Sequence, residues 1–206
     1  MVSNYSGNVQ ISKKNGERSN LDNENPGFLE PGDRIMTSGS SGAVIQTLGG
    51  RGAVQLGEYS ELKLQEDTPE KQDLELVRGK VYSAVDKADD FAKMLQDKMK
   101  EYGDDLLALP GVGQARLRNW AKKFEVRTPI GAAAVRGTKF AVELKDEDTT
   151  EIAVLEGAVE ASDLKGEKRV LVEEGFKVIV TKDGISEPQK IADIEKWWEK
   201  QAGKIS

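Results

Sequence analysis

Few side chains in this sequence could do chemistry, because its 206 residues include no His and no Cys. Without Cys there is no disulfide framework, thiolate nucleophile or thiolate metal site. Without His there is no imidazole base, no Ser-His-Asp or Cys-His arrangement and no His-ligated metal. Carboxylates, Lys, Tyr and Ser remain. Carboxylates cluster at Asp104-Asp105, Asp146-Glu147-Asp148 and Glu173-Glu174. The middle cluster could hold Ca²⁺, but it lacks the Gly and the bidentate Glu spacing of a calcium loop and reads as a solvated turn. No pair can be argued as a glycosidase-type acid and base. The expectation is a binding or scaffolding protein, not an enzyme, with no cofactor and no metal.

Three further groups could bind. Arg136-Gly137-Thr138 reads as a tight turn, with Gly137 supplying backbone freedom and the flanking side chains bonding loop carbonyls; the alternative is a partner contact by Arg136. Leu109-Pro110-Gly111-Val112-Gly113 looks like the hairpin of helix-hairpin-helix DNA-binding modules, in which Gly amides at a helix start hold a phosphate. Gly111, Gly113 and Arg116 would do that work, with Arg118, Lys122 and Lys123 adding positive charge, although Arg116 stands where that module needs a small residue. Trp197 and Trp198 point about 100° apart on a helix, so Trp198 joins the core face while Trp197 either covers the β body or anchors a partner. Against nucleic acid as a general partner stands the charge balance, 30 Lys and Arg to 36 Asp and Glu, net −6, since phosphate contacts need a basic face.

These residues must be positioned by two kinds of element. From Gly7 to Leu76, and again from Lys139 to Val180, short apolar alternations are broken by Gly, Ser, Asn and Asp, as in an all-β domain. Phe140, Val142 and Leu144 share one face of such a strand. A signature of apolar residue, two others, Gly and a following apolar residue recurs around Gly32, Gly79, Gly157 and Gly175. A Gly at one fixed place between short strands predicts a turn with positive φ reused at each corner. Repeated corners predict a wrapped body, either solenoid-like or sandwich-like.

Between those stretches Ala88, Phe91, Leu95, Met99 and Tyr102 recur at helical spacing, and Leu117, Trp120, Ala121 and Phe124 mark another helical face. This predicts a helical insertion over 86–124. Ser186-Glu187-Pro188-Gln189 resembles a capping box, which predicts a last helix over 187–206 lined by Ile191, Ile194, Trp198 and Ala202.

Thr128-Pro129-Ile130-Gly131 through Val135-Arg136-Gly137-Thr138-Lys139-Phe140-Ala141-Val142 resembles the most diagnostic stretch of FecR-type domains. Pro31-Gly32-Asp33-Arg34-Ile35-Met36-Thr37, Gly52–Leu64, Leu74–Val81 and Val154–Val159 resemble further elements of that family, in order. The resemblance implies a mainly β domain over 1–85 and 125–186, with Gly32, Asp33, Thr128, Pro129, Arg136, Gly137, Thr138 and Gly157 as its structural motif residues. It also implies a periplasmic or extracellular module of the bacterial envelope that relays a signal or scaffolds by contact with another envelope protein. No run of about 20 apolar residues spans a bilayer in this chain. Met1–Tyr5 shows no signal-peptide pattern, so the targeting segment is expected outside it. Two other functions stay open: nucleic-acid binding by the insertion, and cell-wall polysaccharide binding if Tyr59, Tyr82 and Phe176 lie in one exposed row.

Overall fold

The computed structural model describes residues 1–22, 27–47, 52–68, 71–85, 124–135, 137–192 and Glu199. Among the described residues, seventeen strands form two sheets that share one long strand. The first sheet, in spatial order, holds β1 (Val2–Ser6), β5 (Gly42–Gln46), β6 (Gly52–Leu56), the second half of β8 (Gln72–Val85), β11 (Lys139–Asp146), β12 (Thr149–Glu156) and β15 (Phe176–Thr181). On the far side of β15 lie the two-residue strands β16 (Gly184–Ile185) and β17 (Gln189–Lys190). The second sheet runs β3 (Arg18–Asn20), β2 (Val9–Ser12), β4 (Arg34–Thr37), β7 (Glu61–Asp67), the first half of β8, β9 (Phe124–Arg127), β10 (Gly131–Val135), β13 (Ala158–Asp163) and β14 (Arg169–Glu173). β8 pairs in parallel with β9, and the other pairings are antiparallel.

Period-two alternation sets which face of each strand is buried. Register then aligns the buried residues into rows. Ala43, Leu56, Val81, Val142, Ile152 and Val178 lie side by side across the first sheet. Leu64, Leu74, Val126, Ala133, Ala161 and Val170 do so across the second. The two inner faces meet in one apolar cluster, where Phe124 and Phe140 contact edge to face at 6.2 Å and 84°. Burying each Leu, Val or Ile there contributes about 1.5–3 kcal/mol, which makes these rows the main source of stability.

The predicted corner glycines all have positive φ: Gly32 at 101°, Gly79 at 81°, Gly157 at 86° and Gly175 at 81°. Gly79 bends β8 from one sheet into the other, and Gly157 and Gly175 carry the chain between sheets at the β12–β13 and β14–β15 corners. With antiparallel pairing and two facing sheets, the sandwich-like form is the one adopted. The solenoid-like form, built of parallel coils, is not.

Two expectations are corrected. Among the described residues there is no inserted helical hairpin and no C-terminal helix. Phe124, read as the end of a helical face, is buried in β9, because Phe124 and Val126 alternate inward with Glu125 and Arg127 outward. The run from Ser186 is extended and leads into β17. The Ser186 hydroxyl accepts the Ile179 amide at 3.0 Å, and the Ser186 amide donates to Ile179 O at 2.9 Å, so the residue closes a β pairing instead of capping a helix. Residues 86–123 lie outside the described residues, as do 193–198 and 200–206.

Candidate interaction surface

The motif residues build corners. Asp33, 2% exposed, sits behind the Gly32 turn. Its Oδ2 accepts Lys13 Nζ at 2.9 Å and the Glu30 amide at 2.9 Å, and its Oδ1 accepts the Lys14 amide at 2.9 Å. Burial alone would raise this carboxyl's pKa. The Lys13 ammonium and the two amides outweigh burial and hold it below its usual 3.8. Asp33 thereby ties the chain after β2 to the loop that leads into β4.

Thr128-Pro129-Ile130-Gly131 forms the β9–β10 turn. The Thr128 amide donates to Gly131 O at 2.7 Å, while Thr128 Oγ1 accepts the Ile130 and Gly131 amides at 3.3 and 3.1 Å. That hydroxyl also meets Thr150 Oγ1 at 2.9 Å, linking the turn to β12 of the other sheet. Pro129 is exposed at the tip. Gly137, with φ 60°, and Thr138 make the next corner, where Thr138 Oγ1 donates to Ala158 O at 2.9 Å. A Cβ on Gly157 would stand 3.0 Å from Gly137 O and 3.2 Å from Thr138 Oγ1, so the two corners interlock. Gly137 and Thr138 build this turn.

Arg136, Trp197, Gly111, Gly113 and Arg116 lie outside the described residues. The three aromatics considered for polysaccharide do not make one row. Tyr59 projects from the β6–β7 turn at 67% exposure, Tyr82 is on the outer face of the first sheet, and Phe176 packs against the core. Asp146 accepts the Asp148 amide at 2.9 Å, and Asp148 pairs with Lys182, so that acidic stretch is the hairpin turn between β11 and β12.

The outer faces are laced with ion pairs. On the second sheet, Arg34 meets Glu61 at 2.6 Å, Lys63 meets Glu75 at 3.8 Å, and Arg127 meets Asp73 at 2.7 Å and Glu125 at 3.1 Å. On the first, Glu151 receives Lys177 at 2.7 Å, and Lys139 meets Glu156 at 2.7 Å. Hydrogen bonds from Lys71 to Glu66 and Asp73 hold that ammonium above its ordinary pKa. The pairs between exposed side chains each contribute about 0–1 kcal/mol and keep the faces hydrated, whereas Asp73 is buried and holds its charge between Lys71 and Arg127.

Apolar exposure falls elsewhere. Leu171, 62% exposed, and Leu164, 71% exposed, both belong to the β13–β14 hairpin, and β14 ends the second sheet. Sequence reasoning placed a strand here but missed its exposure. The available signal was Leu171 itself, an apolar residue in phase with Arg169 and Glu173. Among the described residues, no group of three or more acidic side chains could hold a metal, and no helix is long and apolar enough to cross a membrane.

Known proteins place this architecture. The FecR protein family matches residues 112–160, which identifies a FecR-type domain in the chain. No curated protein matches the sequence. Two crystal structures, at 2.50 and 1.65 Å, of a "putative anti-sigma factor" from Parabacteroides distasonis ATCC 8503 share the fold, with a TM-score of 0.51 at 17% identity. The match covers 76% of this chain and 59% of those chains.

Proposed function

We propose that this chain is a non-enzymatic protein-interaction module of the bacterial cell envelope, periplasmic or extracellular, that relays a signal or scaffolds by contact with another envelope protein. The observation that carries the reading is the FecR match over residues 112–160, which takes in the Thr128–Thr138 corner and strands β9 to β12. The anti-sigma factor named for the similar structures points the same way, since a protein of that kind acts by binding another protein. The motif residues support it as well: Asp33, Thr128 and Thr138 spend their polar atoms on backbone and side-chain groups of their own fold, which leaves recognition to the surface. The test is in-cell chemical cross-linking in the source bacterium, followed by purification of the tagged chain. One envelope protein recovered in constant ratio to the tagged chain is the expected result. Recovery of background proteins alone, at the level of an unrelated tagged β protein, overturns the reading.

A further inference from the structure

The second sheet ends on an edge whose sequence is complementary to itself. Strand β14 reads Arg169-Val170-Leu171-Val172-Glu173 and pairs with β13 through five consecutive residues without a register shift. The other sheet ends are blunted. β3 has three residues, β16 and β17 have two each, and β1 carries a register shift and has its Val2 amide taken by Gly27 O at 2.7 Å. Short strands, bulges and covering loops are among the devices by which β proteins prevent edge pairing; edge charges are another, and on β14 the two charges are of opposite sign. Within the described residues, β14 has none of the first three.

Its backbone polarity can be read from the hairpin. The Asp163 amide donates to Lys168 O at 3.1 Å, which makes Asp163 and Lys168 a hydrogen-bonded pair. Antiparallel ladders alternate, so Ala161 with Val170 and Val159 with Val172 are the next bonded pairs. The N–H and C=O groups of Arg169, Leu171 and Glu173 therefore point to the free side. The side chains of these same residues are exposed, while Val172 is buried and Val170 packs against the core.

We propose that two copies of this chain pair antiparallel through β14, with the two-fold axis at Leu171. This inference does not rest on the envelope reading above. About that axis Leu171 faces Leu171 of the second copy, and Arg169 faces Glu173 at both ends. The bonded registers coincide with the outward-pointing groups, so the ladder continues from one second sheet into the other. Arg169 already donates to Glu160 Oε1 at 2.9 Å and to Gly166 O at 3.2 Å. A guanidinium has five N–H donors, so an approaching Glu173 adds an acceptor without displacing these. Opposite charges directly across an antiparallel pair stabilise it, and like charges destabilise it. A five-residue edge buries less than the roughly 1,200 Å² of a stable complex, so the dimer is weak and forms at high concentration.

Sedimentation equilibrium of the full chain, from about 10 μM to about 2 mM, spans the range where weak association is read. A reversible monomer–dimer equilibrium is expected. Glu173→Arg and Arg169→Glu each place like charges together at both ends and should weaken it at least tenfold. An equimolar mixture of these two variants restores complementarity. One end then sets the unchanged Arg169 against the unchanged Glu173, and the other sets the two introduced side chains together, acid against base. The mixture should dimerise about as well as the parent. Circular dichroism confirms that both variants are folded, and Leu171→Lys, exposed and outside any motif, provides a third variant expected to dissociate. A parent that stays monomeric across the range overturns the proposal. So does a dimer indifferent to the substitutions, or a mixture that fails to recover.

Discussion

Asp33→Asn tests how much of the fold depends on one motif carboxylate. The side chain keeps its shape but loses its charge and one acceptor. If the amide oxygen faces Lys13 and Glu30, the new NH₂ group meets the Lys14 amide, donor against donor, and that amide is left unsatisfied. The opposite orientation spoils two bonds, so the first is adopted. Leaving a donor unsatisfied costs about 1–3 kcal/mol, and hydrogen bonds to a charged group are worth about 1.5–3 kcal/mol where neutral ones are worth about 1. Together these give a loss of about 3 kcal/mol at pH 7. For a chain of this size 1 kcal/mol moves Tm by about 2–4 °C, so the midpoint should fall by about 6–12 °C. The pH dependence has a fixed sign. The folded pKa of Asp33 is lowered from 3.8, so its contribution is fully present above the unfolded value and is lost as pH falls through the folded one. The asparagine variant has no such titration. Its deficit against the parent should hold from pH 7 to pH 5 and shrink below pH 3.8. Urea melts at pH 7, 5 and 3 read it directly. A variant within about 0.5 kcal/mol of the parent at pH 7, the range of ordinary surface changes, would refute the reasoning; so would a deficit that does not narrow in acid.

Other predictions follow from the corners and the core. Gly157→Ala combines a positive-φ cost of about 1–2 kcal/mol with a Cβ pressed on Gly137 O, so urea melts should show a loss of about 2–3 kcal/mol. Thr128→Val strips the acceptor from the Ile130 and Gly131 amides, with a loss of about 1–3 kcal/mol and faster hydrogen exchange at Gly131. Leu76→Ala empties part of the buried second sheet and should cost about 2–5 kcal/mol by the same melts, whereas Leu171→Lys should stay within about 0.5 kcal/mol.

The strands and corners were legible in the sequence because their causes are local. Alternation in Phe140-Ala141-Val142 is visible without knowing the neighbours, and the corner glycines announce themselves because an L side chain strains at φ near 80–100°. What failed depended on distant partners. Phe124 fits the end of a helical face and the start of an alternating strand equally well; β8, lying parallel to β9, decides for the strand. Ser186 has the residue pattern of a cap, but its hydroxyl is claimed by Ile179 across a turn. The exposed edge was hidden for a related reason. Whether Leu171 is covered depends on where the sheet stops, and that is a property of the whole strand order.

The central claim, that this domain works by contact with another envelope protein, is tested most directly by photo-cross-linking in the living source cell. A photoreactive residue is placed in turn at Val44, Tyr59, Lys63, Glu125 and Pro129, which sample both outer faces and two turns away from β14. One envelope protein is expected in the adducts, captured from neighbouring positions on one surface and lost when that surface is charge-reversed. Adducts that are absent at all of these positions, or that change identity randomly from site to site, would contradict it.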